Sequence, residues 1–106
     1  MADISDKIND QWFMLYDDIC YRARCLKKLK MHDYDNGTVS QLDYYKFLGE
    51  KAFVHEIMKK ALRLVSLYSQ EKLPETDSIE DSLIDLINYS ADLYAYRKLK
   101  GGSIDG

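Results

Sequence analysis

The chain has no long apolar run, and it begins with an acidic, polar segment. None of its 106 residues fall in a stretch of about 20 apolar residues, the length that a membrane-spanning helix needs. The segment from Met1 to Asp6 resembles neither a secretory signal nor a transit peptide. We therefore expect a cytoplasmic protein without a membrane partner.

Several kinds of chemistry are excluded because the residues they need are scarce. Cys20 and Cys25 have no second pair of ligands for zinc and no histidine at a spacing typical of a nucleophile, so we expect both to be reduced. His32 and His55 are too few and too far apart for a metal cluster. The five glycines form neither a phosphate-binding loop nor a dinucleotide motif.

Strand-like alternation is also missing, and apolar residues instead recur at spacings of three and four. This period predicts a first helix over about residues 5–30. Turn residues follow at 32–38, and a second helical region then begins at the Ser40-x-x-Asp43 cap, with a kink or division at Gly49. Beyond the loop around Pro74, a third helix is predicted over about 76–99. We expect an all-α fold: residues 1–100 form one antiparallel bundle of three main helices, and residues 101–106 form a flexible tail.

The apolar content exceeds what three helices can bury alone. Hydrophobic residues make up 46% of the chain, and nine residues are tyrosines, a residue enriched at interfaces. We therefore predict that a homo-oligomer, a dimer or larger, completes the bundle.

Charge is distributed unevenly along the chain. The net charge of −3 argues against general nucleic-acid binding. A basic block nevertheless occupies the end of the first predicted helix: Arg22, Arg24, Lys27, Lys28 and Lys30. These cations can stabilise the negative end of the helix dipole, or they can bind phosphate, and the sequence leaves both interpretations open.

The third predicted helix carries Asp77, Asp81 and Asp85 at successive spacings of four. Like charges at this spacing repel by roughly 0.2–0.5 kcal/mol per pair, which favours a structure in which cations lie against them. N-capping explains acids in the first turn, but it does not explain Asp85 or the polar residues that follow it, Asn88 and Asp92. A solvated outer face remains the alternative interpretation of this stripe.

Three segments together resemble a known family. They are His32-Asp33-Tyr34 with Asn36-Gly37, then Lys60-x-x-Arg63-Leu64, and then the run from Asp77 to Ala91. This pattern resembles the nucleotide modification associated domain family found largely in phages and prophages, which is itself similar to the all-α MazG-type nucleoside triphosphate pyrophosphatases.

The resemblance implies a nucleotide ligand and a set of site residues. Asp77, Asp81 and Asp85 would bind Mg²⁺, and Lys60 and Arg63 would face phosphates. We add Tyr34, Asn88 and Tyr89 to the predicted nucleotide-binding residues. Lys60 and Arg63 have another interpretation, as solvated cations or as partners of the aspartates on the third helix.

The chain also departs from the MazG pattern, in which Glu-x-x-Glu on one helix faces Glu-x-x-Asp on the next. Ser82 stands where the second motif has its glutamate, and the second helix offers only Glu50 and Glu56. No catalytic residue can be assigned.

Three hypotheses follow from these residues. The first is a module that captures a nucleotide or a cyclic nucleotide, as an anti-defence phage protein would in the host cytoplasm. The second is a magnesium-dependent pyrophosphohydrolase, and the third is a helical adaptor for a basic partner. The missing glutamates rank binding ahead of hydrolysis.

Overall fold

A computed structural model describes residues 4–35, 47–72 and 75–100 of the chain. Three long helices account for most of them: α1 (Ile4–Asp35), α2 (Glu50–Tyr68) and α3 (Thr76–Lys100). No strand occurs within these three ranges. The all-α prediction with three main helices is therefore confirmed.

Helix α1 is longer than the sequence predicted. We expected it to end before His32, but it continues to Asp35. Residues 32–35 have no glycine or proline to stop a helix, and the first such residue after them is Gly37. The predicted turn at 36–38, the predicted cap at Ser40 and Asp43, the loop residue Pro74 and the tail at 101–106 lie outside the described residues.

Gly49 divides the second helical region, as predicted. Its φ of +81° lies in the left-handed region that glycine adopts without strain, and its carbonyl accepts a hydrogen bond from the Ala52 N–H at 3.1 Å. Helix α2 starts at the next residue and ends at Tyr68. Beyond it, the Ser69 N–H donates to the Val65 carbonyl at 3.0 Å.

Helix α3 begins one residue after Glu75, whose carbonyl accepts hydrogen bonds from the Ser78 and Ile79 N–H groups at 3.1 and 3.3 Å. Asp77 and Ser78 consequently lie inside the first turn of the helix, so neither is its N-cap residue. Asp77 still favours the helix, because its negative charge lies near the positive end of the dipole.

Helix α3 lies between the other two helices and packs against both. It runs antiparallel to α2, since Arg97 near the end of α3 pairs with Glu50 at the start of α2. Phe53 of α2 and Tyr96 of α3 are buried, and their ring centroids are 5.3 Å apart. Within the described part of the chain, α1 and α2 do not pack against each other.

Burial is incomplete on both outer helices. Every described side chain from residue 5 to residue 18 of α1 is exposed, whereas Ala23 in its second half is fully buried. The apolar face predicted for α1 is therefore covered along only part of its length.

Candidate functional site

The aspartates predicted as metal ligands lie in different environments along α3. Asp77 and Asp81 are exposed, whereas Asp85, Asn88 and Asp92 are half-buried. The interpretation of the stripe as a solvated outer face therefore holds for Asp81 but is wrong for Asp85, Asn88 and Asp92. The reason is the central position of α3, which is covered on two sides.

Asp85 is the point at which side chains of all three helices meet. The Lys60 Nζ of α2 lies 3.0 Å from Asp85 Oδ2, and the Lys30 Nζ of α1 lies 3.7 Å from Asp85 Oδ1. About one fifth of the Asp85 side chain is exposed. The cations expected against the acidic stripe are therefore, at this position, two lysines of the same chain.

Two further ion pairs join the basic block of α1 to α3. The Lys27 Nζ donates to Asp92 Oδ2 at 2.7 Å, in a contact where both side chains are less than one fifth exposed. The Arg22 guanidinium lies 3.4 Å from the Glu80 carboxylate. The basic block of α1 is thus paired with acidic residues of α3.

The two predicted phosphate ligands on α2 differ in their contacts. Lys60 pairs with Asp85, so its interpretation as a partner of an aspartate on the third helix is confirmed. Arg63 is exposed and makes no ion pair within the described residues. It is available for an anionic ligand.

A groove of about 360 Å³ lies between α1 and α3. The cations Arg24, Lys27 and Lys28 line one wall, and the other wall carries the Asn88 amide beside Asp92. Small and apolar side chains complete the lining: Cys20, Ile87 and Ala91. Of the residues predicted to bind a nucleotide, this groove contains Asn88.

The structure does not gather the remaining predicted nucleotide ligands around this groove. Tyr89 is half-buried on α3 and does not line it, and the side chain of Tyr34 lies outside the described residues. Sequence reasoning left Arg24, Lys27 and Lys28 out of the site. The signal that could have included them was the basic block itself, for which phosphate binding was one of two interpretations.

The three aspartates do not form one ligand set. Magnesium takes several oxygen ligands in octahedral geometry, but both Asp85 oxygens face lysine ammonium groups, and the two more N-terminal aspartates are exposed. Among the residues described, no three His, Cys, Asp or Glu side chains converge as metal ligands would. The arrangement of these aspartates does not fit a magnesium ion, and magnesium binding stays a prediction.

Ser82 lies where the MazG pattern has a glutamate, and it is almost fully buried, with 1% of its surface exposed. Its hydroxyl donates to the Ser78 carbonyl at 3.1 Å. Position 82 is therefore enclosed within the protein. A carboxylate there would be buried, which is costly unless the charge is paired.

Both cysteines are free, as predicted. The Cys25 side chain, hydrogen-bonded to Tyr21 one turn earlier on α1, raises the pKa of Tyr21 above its ordinary value of 10.0. Tyr21 therefore stays protonated at neutral pH and carries no charge into the basic half of α1.

No described helix combines the length and the apolar character that crossing a membrane requires. No family model matches the chain, and neither a curated protein nor a solved structure matches it. The resemblance to the nucleotide modification associated domain family therefore stays a prediction that depends on the motif residues alone.

Proposed function

We propose that the protein binds a nucleotide or a cyclic nucleotide in the groove between α1 and α3, and that it works as a homo-oligomer. The observation that carries the proposal is the lining of the groove. Lys27 and Asp92 neutralise each other across it, but Arg24 and Lys28 leave the groove a surplus of positive charge, and cationic side chains form strong charge-assisted hydrogen bonds with phosphate.

The rest of the lining suits the other parts of a nucleotide. Ile87 and Ala91 offer an apolar surface to a base, and the Asn88 side chain can both donate and accept hydrogen bonds with a base or a ribose. The volume of about 360 Å³ falls at the lower end of the range typical of small-molecule sites. A mononucleotide, or part of a larger cyclic nucleotide, is the ligand class that this groove fits.

Binding is favoured over hydrolysis because Asp85 and Asp92, two half-buried carboxylates of α3, are paired with lysines. A magnesium-dependent pyrophosphohydrolase needs converging carboxylates to hold the metal and orient water. Asp85 and Asp92 instead contact lysines, and Ser82 is enclosed within the protein. The adaptor alternative loses support for a related reason, since α1 already covers much of the acidic stripe.

A nucleotide panel with and without magnesium separates these functions. The purified protein is incubated with each nucleotide, and both the retained fraction and the released products are analysed. We expect intact nucleotide to be retained without a requirement for magnesium. Release of a monophosphate and pyrophosphate would support the hydrolase, and neither retention nor turnover would support the adaptor.

Two exposed arginines provide a matched test of where the ligand binds. Arg24 lines the groove, Arg63 lies on α2, and neither makes an ion pair within the parts of the chain that the structure describes. We expect Arg24→Ala to weaken nucleotide binding by roughly tenfold, which corresponds to about 1.4 kcal/mol, and Arg63→Ala to change it less than twofold. Calorimetry on both variants measures the difference, and the reverse order would transfer the phosphate site to α2.

A further inference from the structure

The outward face of α2 carries an uncovered apolar stripe. Its members recur at alternating spacings of four and three, which is the pattern of the contact seam in a coiled coil, and all of them are exposed: Val54, Met58, Ala61, Val65 and Tyr68. More than half of each of the four larger side chains is accessible to solvent. We call this set the α2 seam.

Helix α2 has a second apolar face, and that face is already used. Phe53 is buried, and Ile57, Leu64 and Leu67 are half-buried on the side of α2 that packs against α3. A helix with apolar residues on two faces needs a neighbour on each of them. Helix α3 provides one neighbour, and the described residues of α1 do not provide the other.

We infer that a second copy of this chain covers the α2 seam, with the two α2 helices antiparallel across a two-fold axis. The inference rests on the homo-oligomer part of the proposed function and is independent of nucleotide binding. In a two-fold dimer the same surface patch contacts itself, so the patch has to be complementary to its own reversed copy.

The α2 seam meets this requirement. An axis midway between Met58 and Ala61 places each Met58 opposite Ala61 of the second copy, and each Val54 opposite Val65. The large Met58 then faces the small Ala61, and Val54 faces a valine of its own size, an arrangement that lets two helices interdigitate. The same axis places Tyr68 opposite Lys51, so the largest side chains of the seam, Tyr68 and Met58, do not meet their own copies.

The charges around the seam also favour a second copy. The positions that flank it at its centre are occupied by His55, Ile57, Leu62 and Leu64, where coiled coils that select a different partner carry charged residues. The neighbouring cations, Lys59 and Arg63, lie off the seam, and Lys59 is paired with Glu56 at 3.5 Å. The pairing of two identical seams therefore brings no like charges face to face at its centre.

The exposed area is sufficient for such an interface. The chain exposes 8681 Å², whereas a compact monomer of 12.4 kDa would expose about 6,100 Å² by the usual dependence of surface on mass. The difference of about 2,500 Å² is shared between the exposed first half of α1 and the α2 seam, and it exceeds the roughly 800 Å² that each partner contributes to a standard interface.

Two matched methionines test the location of the interface. Met58 lies in the α2 seam and Met14 lies on α1, and both are exposed. We expect light scattering without nucleotide to return twice the 12.4 kDa chain mass for the wild type and for Met14→Glu, but the monomer mass for Met58→Glu. A monomeric wild type, or dissociation by Met14→Glu alone, would overturn the inference.

Disulfide cross-linking tests the orientation without relying on a disruptive variant. One Val54→Cys chain is mixed with one Val65→Cys chain, both carrying Cys20→Ser and Cys25→Ser. The antiparallel pairing predicts cross-linked heterodimers in the mixture and few in either chain alone. Cross-linking of Val54→Cys with itself would instead indicate parallel helices and contradict the proposed axis, and an absence of cross-links in the mixture would overturn the interface.

Because mass and cross-linking are measured without nucleotide, they give results even if the ligand site is wrong. Conversely, nucleotide binding by a monomeric protein would preserve the groove and reject the α2 seam. The nucleotide groove and the dimer through the α2 seam can therefore each be rejected without rejecting the other.

Discussion

Replacement of Phe53 by alanine is expected to lower the free energy of unfolding by about 3–5 kcal/mol, the usual cost of truncating a buried phenylalanine. Phe53 is 2% exposed and packs against Tyr96, with Ala52 and Leu93 beside the pair. The variant loses the transfer free energy of the ring and leaves a cavity in the small cluster that joins α2 to α3. Urea denaturation at one fixed chain concentration measures the change.

Phe47 is the matched control for this prediction, because 88% of it is exposed. Phe47→Ala should change the free energy of unfolding by no more than about 0.5 kcal/mol. Equal losses in the two variants would mean that the contact between Phe53 and Tyr96 does not hold α2 against α3.

Replacement of Asp85 by asparagine is expected to lower the free energy of unfolding by about 1–2 kcal/mol. The expectation lies between the roughly 0.2–1 kcal/mol of an exposed ion pair and the 3–5 kcal/mol lost when one partner of a buried pair is removed. Asp85 is half-buried and faces Lys30 and Lys60. Removal of its charge leaves two neighbouring ammonium groups without their carboxylate.

Asp81 provides the control, since it lies one turn earlier on α3 and is exposed. Asp81→Asn should change stability by less than about 0.5 kcal/mol. Thermal unfolding of both variants at low and high salt gives the comparison, and salt should reduce the difference between them. If Asp81→Asn lost as much stability as Asp85→Asn, the contact of Asp85 with Lys30 and Lys60 would not stabilise the fold as proposed.

The sequence predicted the helices better than their packing. Local signals located the start of α3 near residue 76 and the division at Gly49, because capping residues and glycine act over one turn. The end of α1 was wrong by several residues, since polar residues after Lys30 are compatible with either a turn or a helix. How much of the apolar face of α1 is covered depends on the position of α3, and the spacing of apolar residues in the sequence does not specify that position.

The site was predictable only in part, and for a similar reason. The spacing of the aspartates indicated that cations lie against α3; this holds at Asp85, whereas Asp77 and Asp81 are exposed. The pairing of Lys60 with Asp85 was one of two interpretations of that lysine. The contacts of Lys27 with Asp92 and of Lys30 with Asp85 join residues more than 50 positions apart. Such pairings depend on the tertiary arrangement, so the groove lined by the basic block was not predicted.

Calorimetry that compares a nucleotide with its own nucleoside tests the central claim most directly. Each nucleotide retained in the panel is titrated into the wild-type protein beside the matching nucleoside. If the cations of the groove hold phosphate, the nucleotide should bind at least tenfold more tightly, and its affinity should fall as salt is raised. Equal affinity for the two ligands, or an affinity that salt leaves unchanged, would contradict the assignment of this groove as a phosphate site.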